Sequence, residues 1–189
     1  MEVAKEVSMS RLLPLLAERR SIRSFEDRPV PAEMVAQIVE AALRSPSSRS
    51  LNPWEFVVVT EREQLERLAR AKPHGGSFLK SAPLAVVICA DPQRCDVWIE
   101  DAAIATFAIH LAATDLGLGS CWVQIRKRNH ADNQSAAQFI AGELNLPDGL
   151  EVLAAVAIGY PSESKKGHAK ASLPYDKVHQ GQFGQRWGA

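Results

Sequence analysis

The most informative part of the chain reads Arg19-Arg20-Ser21-Ile22-Arg23-Ser24-Phe25, followed by Ser45-Pro46-Ser47-Ser48-Arg49-Ser50-Leu51-Asn52-Pro53-Trp54. We call these stretches the arginine segment (residues 19–25) and the serine turn (residues 45–54). A guanidinium offers a planar fork of donors that matches phosphate oxygens. Serine hydroxyls and free backbone N–H groups can complete a phosphate cradle. The pair therefore favours a phosphate-bearing cofactor, and the alternative is a solvated basic helix end followed by an ordinary loop.

Composition narrows the class of protein. The chain has 189 residues, 46% of them hydrophobic, which suits one globular domain over residues 1–189. Its 22 basic residues balance 22 acidic ones, so a general nucleic-acid binder is not expected. No apolar run is long enough to cross a membrane. Three cysteines without Cys-x-x-Cys spacing and no signal peptide favour the cytoplasm.

Hydrophobic periodicity predicts a mixture of strands and helices. Short apolar runs predict strands at residues 55–60, 84–89, 121–125 and 152–158. Helices are expected at residues 10–20, from Pro31 onward, from a Thr60–Glu63 capping box, from Asp91–Pro92 to about Gly117, and at residues 131–144.

The order of these elements predicts an α+β layered domain, since strands and helices do not alternate strictly. Residues 102–113 are apolar almost all round, which is typical of a central or interface helix. Residues 162–189, rich in Gly and Lys and containing Pro174, predict an extended C-terminal arm with no core of its own.

The arginine segment and the serine turn resemble the opening signature of the nitroreductase family of FMN-dependent oxidoreductases. That signature reads Arg-Arg-Ser-x-Arg-x-Phe, then Pro-Ser-x-x-Asn-x-Gln-Pro-Trp. Here Ser50 stands where the family usually has Asn, and Asn52 where it usually has Gln. The resemblance continues through residues 116–122 (Leu-Gly-Leu-Gly-Ser-Cys-Trp) and 157–161 (Ala-Ile-Gly-Tyr-Pro), and therefore covers almost the whole chain.

The resemblance implies a layered fold with a central mixed or antiparallel sheet packed with helices, in an intertwined homodimer whose arms embrace the partner. Flavin sites would form between the subunits. Arg19 and Ser21 would contact the FMN phosphate or ribityl chain, and Arg20 belongs to the same motif. Arg23 would lie near N1 and O2 of the isoalloxazine, where charge develops during reduction.

The remaining binding residues are implied in the same way. Pro46, Ser47, Ser48 and Ser50 would contact the ribityl or phosphate group, and the Asn52 amide would contact the flavin edge. The alternative is a loop that ends a helix, with serines capping backbone groups. Backbone N–H groups of Val123, Gln124 and Ile125 would face flavin N5 and O4. Lys170 would bind phosphate. Ser172 stands where the family often has a second basic residue, and either Lys165 or Lys166 compensates for it or all three lysines are solvated.

The implied activity is hydride transfer from NADH or NADPH through flavin N5 to a nitroaromatic, quinone or similar acceptor, by a ping-pong mechanism. FMN carries the chemistry, so no catalytic side chain is assigned, and the histidines show no metal motif. Three alternatives stay open on the same scaffold: a flavin carrier or sensor, a specialised flavin dehalogenase or dehydrogenase, and an interaction protein without flavin.

Overall fold

The structure, a computed structural model, describes residues 10–131 and 133–188. The strands are β1 (Trp54–Val59), β2 (Leu84–Ala90), β3 (Gly119–Gln124), β4 (Asn129–Ala131), β5 (Gln134–Ser135) and β6 (Glu151–Gly159). The helices are α1 (Leu12–Glu18), α2 (Ala32–Leu43), α3 (Arg62–Leu68), α4 (Trp98–Asp115) and α5 (Ala136–Glu143). The main sheet has the order β1-β2-β6-β3 with antiparallel neighbours throughout, and β4 pairs with β5 in a separate hairpin.

The two middle strands of the sheet are buried on both faces. All seven residues of β2 are buried, and so is β6 apart from Glu151. Leu84, Val86 and Ile88 face a layer formed by α2 and α4, whereas Ala85, Val87 and Cys89 face a layer formed by α3 and α5. Strands covered on both sides read as continuous apolar runs. The predicted α+β layered fold is confirmed, with an antiparallel sheet.

The long helix α4 packs one side on the sheet and leaves another side open. Ala102, Ala105 and Ile109 are fully buried, while Ile104 and Phe107 are each 45% exposed. The helix ends as the sequence predicts, because Gly117 adopts a left-handed conformation (φ 71°) just beyond it. Within the described residues, no helix is both long and apolar enough to span a membrane.

Two predicted helix starts are wrong. The Thr60–Glu63 capping box does not form: α3 begins at Arg62, and its N-cap residue, Glu61, makes no side-chain capping bond. The Asp91–Pro92 pair does not begin α4, because the Asp91 carboxylate accepts the Gln93 N–H at 2.8 Å and closes a turn instead. The helix starts at Trp98. A capping box does form at α5, between Ser135 and Gln138. This helix begins at Ala136, later than predicted, because β4 and β5 occupy the first residues of the predicted helix.

The C-terminal arm leaves the sheet after Pro161 and stays near the surface. Over residues 162–188 it contains two short 3-10 turns, Lys170–Ser172 and Tyr175–Lys177, and one isolated bridge between His179 and Arg186. Its apolar side chains are exposed at Leu173, Tyr175, Val178, Phe183 and Trp187. Exposed apolar side chains on a segment without its own core are typical of a surface that packs against another molecule.

Candidate active site

The arginine segment runs beside β3 in an extended conformation. Ser21 forms a parallel bridge with Ser120, and the Ile22 N–H donates to the Ser120 carbonyl at 3.0 Å. This close approach requires Gly119, since a Cβ there would lie 2.7 Å from Ile22 Cγ2. The Gly-x-Gly pair therefore has two separate roles: Gly117 ends α4, and Gly119 admits the arginine segment.

The start of the C-terminal arm holds the arginine segment from the other side. The Glu163 carboxylate accepts hydrogen bonds from the backbone N–H groups of Arg23, at 2.5 Å, and Ser24, at 3.2 Å. Lys165 Nζ donates to the Ser21 carbonyl at 2.7 Å and to Glu163 at 3.0 Å. The Arg23 N–H and the Lys165 ammonium hold the pKa of Glu163 below its ordinary value. The Arg20 guanidinium donates to the Lys166 carbonyl.

The three arginines of the segment keep their charge uncompensated. Within the described residues, none of Arg19, Arg20 and Arg23 forms an ion pair. The Arg23 guanidinium lies 5.8 Å from the centre of the Phe78 ring. These guanidinium groups, with the Lys165 ammonium beside Ser21, form a donor set that suits a phosphate-bearing ligand.

A cavity of about 610 Å³ adjoins the arginine segment. Arg20, Ile22, Gly119, Glu163 and Lys165 are among the residues that line it. Of the arginines predicted to bind cofactor, only Arg20 reaches this cavity.

A buried polar pair lies behind the arginine segment. His110, on α4, places Nδ1 2.7 Å from Ser120 Oγ, and both residues are buried. Burial, and secondly the charge of Arg19, lowers the pKa of His110 to about 4. At neutral pH the imidazole is therefore uncharged, and it is hydrogen-bonded to Ser120.

The serine turn has an unusual backbone, with hydrogen bonds inside the turn, a bond to the Asp101 carboxylate and an exposed ion pair at Arg49. Arg49, Ser50 and Asn52 all have positive φ, at 53°, 54° and 46°. The Ser47 hydroxyl accepts the Asn52 N–H at 2.9 Å and lies 2.6 Å from Asn52 Oδ1. Asp101 Oδ1 accepts the Ser48 N–H at 2.9 Å, and Arg49 pairs with Asp96 at 2.5 Å.

The arginine segment and the serine turn of one chain are anchored at different positions along α4. The serine turn is bonded to Asp101, in the first turns of α4, whereas the arginine segment lies against Ser120, which faces His110 near the other end of that helix. Nine residues of α-helix at 1.5 Å each separate Asp101 from His110 by about 14 Å along the axis.

Comparison with known proteins gives the family. The sequence model of the Nitroreductase family matches residues 16–93 and 70–160. A protein of Thermus thermophilus named NADH dehydrogenase is 38% identical over 195 residues, covering 85% of this chain and 91% of its own. The chain belongs to the nitroreductase family. The predicted family is therefore confirmed, on motifs that span most of the chain.

Two further relatives of this nitroreductase family member have informative names. A solved structure described as an FMN-dependent nitroreductase from Clostridium difficile R20291 superposes with a TM-score of 0.89 at 46% identity, covering 90% of this chain and 99% of that one. FMN reductase (NAD(P)H) of Bacillus subtilis is 28% identical over 193 residues, covering 90% of this chain and 73% of its own. These names agree with the predicted cofactor and co-substrate.

The other residues predicted to bind the cofactor lie in three settings. Val123 and Ile125 are buried in the core, and the Ile125 N–H donates to the Leu153 carbonyl at 3.4 Å. Gln124 is partly buried, and its side chain accepts from Trp122 Nε1 at 2.9 Å. Pro46 and Ser50 are exposed. Lys170 lies in an exposed turn of the arm, whereas Lys165 lies against the arginine segment.

Sequence reasoning missed Glu163 and Asp101, the two carboxylates that hold the binding segments. Glu163 carries no local signal, because its partners lie about 140 residues earlier in the chain. Asp101 does carry one. An acidic residue at the head of a long apolar helix, on the side that α4 buries, must have partners because an unpaired buried charge is costly.

Proposed function

We propose that the chain transfers hydride from NAD(P)H to a nitroaromatic, quinone or similar acceptor in two successive half-reactions at one site. Membership of the nitroreductase family, with relatives named FMN-dependent nitroreductase and FMN reductase, makes the chain an FMN-dependent NAD(P)H oxidoreductase. FMN, when bound, supplies the redox chemistry by accepting hydride at N5. The protein's contribution is binding, orientation and electrostatics.

The observation that carries the proposal is the uncompensated positive charge of the arginine segment. Arg19 and Ser21 would hold the phosphate or ribityl chain, with Lys165 completing the cation set in place of the predicted Lys170. Arg23, which forms no ion pair among the described residues, would stabilise negative charge at the pyrimidine edge. His110 is uncharged behind the segment, so it adds no positive charge that would draw the phosphate away from the arginines.

The second group of binding residues would come from a partner subunit. The serine turn (Pro46, Ser47, Ser48, Ser50 and Asn52) lies about 14 Å along α4 from the arginine segment of its own chain. A homodimer packed through the open side of α4, where Ile104 and Phe107 are each 45% exposed, would bring one chain's serine turn to the other chain's arginine segment. The arm would then cover its exposed apolar residues on the partner.

A cytoplasmic location agrees with the state of the cysteines. Cys89, Cys95 and Cys121 are all buried and unpaired. Burial raises the pKa of Cys89 to about 12 and also raises that of Cys121, so both are protonated thiols at neutral pH. Unpaired protonated thiols are typical of a reducing compartment.

The test is flavin retention followed by anaerobic reduction. Protein incubated with FMN and desalted should keep flavin absorption that bleaches on addition of NADH or NADPH and returns when a quinone is added. Arg19→Ala should lose retained FMN, whereas Arg44→Ala, which removes an exposed arginine paired with Glu40, should not. If the protein retains flavin that neither NADH nor NADPH reduces, it is a flavin carrier or sensor and not an enzyme. If it retains no flavin, it is an interaction protein on the same scaffold.

A further inference from the structure

The serine turn adopts a backbone conformation that its own residues do not favour. Arg49, Ser50 and Asn52 all lie in the left-handed region, with φ between 46° and 54°. A side chain with a Cβ rarely adopts this conformation, and three such residues within four positions require support from surrounding contacts. The conformation of the serine turn therefore depends on its contacts with the surrounding residues.

Asp101 is the buried group that holds the serine turn. Its side chain is nearly enclosed, with the residue only 4% exposed. Oδ1 accepts the Ser48 N–H at 2.9 Å, and Oδ2 accepts the Cys95 thiol at 3.4 Å. Each oxygen of this buried carboxylate thus has a donor, which is the condition for keeping a charge inside a protein.

The end of the serine turn is fixed by the backbone, since the Pro53 carbonyl accepts the Asp91 N–H at 2.9 Å and Trp54 begins β1. The other polar contacts of residues 47–52 are weaker or local. The Arg49–Asp96 pair is solvent-exposed, with side chains 63% and 79% exposed, and exposed ion pairs contribute little. The Ser47–Asn52 hydrogen bonds lie within the turn and do not connect it to the rest of the fold. Asp101 is different because it joins the turn to α4 through a charge-assisted bond to the backbone.

We infer that Asp101 is a positioning residue for the cofactor: by fixing the Ser48 amide it sets the direction in which the hydroxyls and the Asn52 amide of the serine turn point. This inference rests on the proposed function, which assigns those groups to FMN. Asp101 itself need not touch the ligand. Because α4 also carries His110 against Ser120, the same helix supports the serine turn and the arginine segment.

The first test compares Asp101→Asn with Asp96→Asn. Asn preserves size but loses the charge, and it cannot accept from both Ser48 and Cys95. We expect FMN to bind Asp101→Asn with a Kd raised about 10- to 100-fold, because the amide loses the charge and can satisfy only one of the two donors. Amide hydrogen exchange in the peptide spanning residues 46–53 should accelerate in the apoprotein. Asp96→Asn should change both readouts less than about threefold.

A second pair of variants removes the donor instead of the acceptor. Ser48→Pro deletes the N–H that Asp101 accepts, and Ser47 has ψ 158°, which is compatible with a following proline. Ser48→Ala keeps that N–H and removes only the hydroxyl. Ser48→Pro should weaken FMN binding about tenfold beyond Ser48→Ala. This pair decides the question if Asp101→Asn does not fold, as judged by far-UV circular dichroism.

The outcomes separate this inference from the proposed function. Asp101→Asn and Ser48→Pro that fold, exchange faster over residues 46–53 and bind FMN more weakly than their controls support the positioning role. Wild-type FMN affinity and exchange in the Asp101→Asn variant, or Ser48→Pro equal to Ser48→Ala, would overturn it. A wild-type protein that binds no FMN refutes the proposed function and the positioning role with it, whereas a normal wild type with unaffected variants refutes only the role of Asp101.

Discussion

His110 Nδ1 lies 2.7 Å from Ser120 Oγ, and this buried contact joins the long helix α4 to the strand beside which the arginine segment runs. The Ser120 carbonyl accepts the Ile22 N–H, so one residue bonds the helix through its side chain and the arginine segment through its backbone. The position of the arginine segment relative to α4 thus depends on an imidazole that is neutral at physiological pH.

The pH dependence of stability should show the burial of His110. Its pKa is about 4 in the folded protein and 6.5 ordinarily, so between these values the unfolded chain binds a proton that the folded chain does not. The stabilisation from keeping His110 uncharged is fully present above pH 6.5 and is lost as the pH falls toward 4. The free energy of unfolding then decreases by up to about 3 kcal/mol. Urea unfolding from pH 7.5 to 4 measures it. His110→Gln, which cannot titrate, should lack this part of the decline, and an unchanged profile would contradict the assignment.

The close approach at Gly119 predicts a strong effect of a single methyl group. Gly119→Ala would place Cβ 2.7 Å from Ile22 Cγ2, and overpacking of this kind costs about 1–3 kcal/mol. The displaced arginine segment should also retain less FMN. Gly142→Ala is the matched control, because its Cβ would meet nothing within 4 Å and α5 should gain about 0.5–1 kcal/mol. Thermal unfolding and flavin content measure both. Equal stability in the two variants would disprove the steric argument.

The sequence predicts well those parts of the fold that depend on continuous apolar patterns. The runs around Val57 and Val87 are strands, and the stripe through Val35 and Ile38 is helix α2, because burial of a periodic apolar face is specified locally. The start predicted at Asp91 failed because that carboxylate has a competing partner. Asp91 caps its own turn by accepting from Gln93, and nothing in the sequence ranks that bond above a helix cap.

The sequence likewise predicts only part of the candidate site. The arginine segment and the serine turn are recognisable because their residue types suit a phosphate-bearing ligand. The partners of their supports are not, since Glu163 meets Arg23 and Asp101 meets Ser48 only through the tertiary fold, although an acidic residue at Asp101 does signal that some partner exists. The separation of the two anchoring points along α4 is likewise a property of the fold, which no local residue pattern specifies.

The contact of Glu163 with the arginine segment should be lost in acid. Its pKa lies below the ordinary 4.5 because the Arg23 N–H and Lys165 favour the carboxylate. The stabilisation is present above pH 4.5 and is lost as the pH falls through the lowered pKa of Glu163. Glu163→Gln should therefore be less stable than wild type at pH 7, and the difference should vanish in strong acid. Urea unfolding at pH 7 and at pH 3 tests this, and a difference that persists unchanged would refute it.

A charge on the open side of α4 should separate the subunits and release the cofactor together. Ile104 is 45% exposed on that side, and Ile104→Lys would place a charged group in the proposed interface, where desolvating it is costly. Because the arginine segment and the serine turn of one chain lie about 14 Å apart along α4, the monomer would have only half of each site. Analytical ultracentrifugation should show a monomer, and desalting should remove its FMN. Val58→Lys, at a 38% exposed position on β1, should remain dimeric and keep its flavin. A monomeric Ile104→Lys protein that retains FMN would show that one chain binds the cofactor alone.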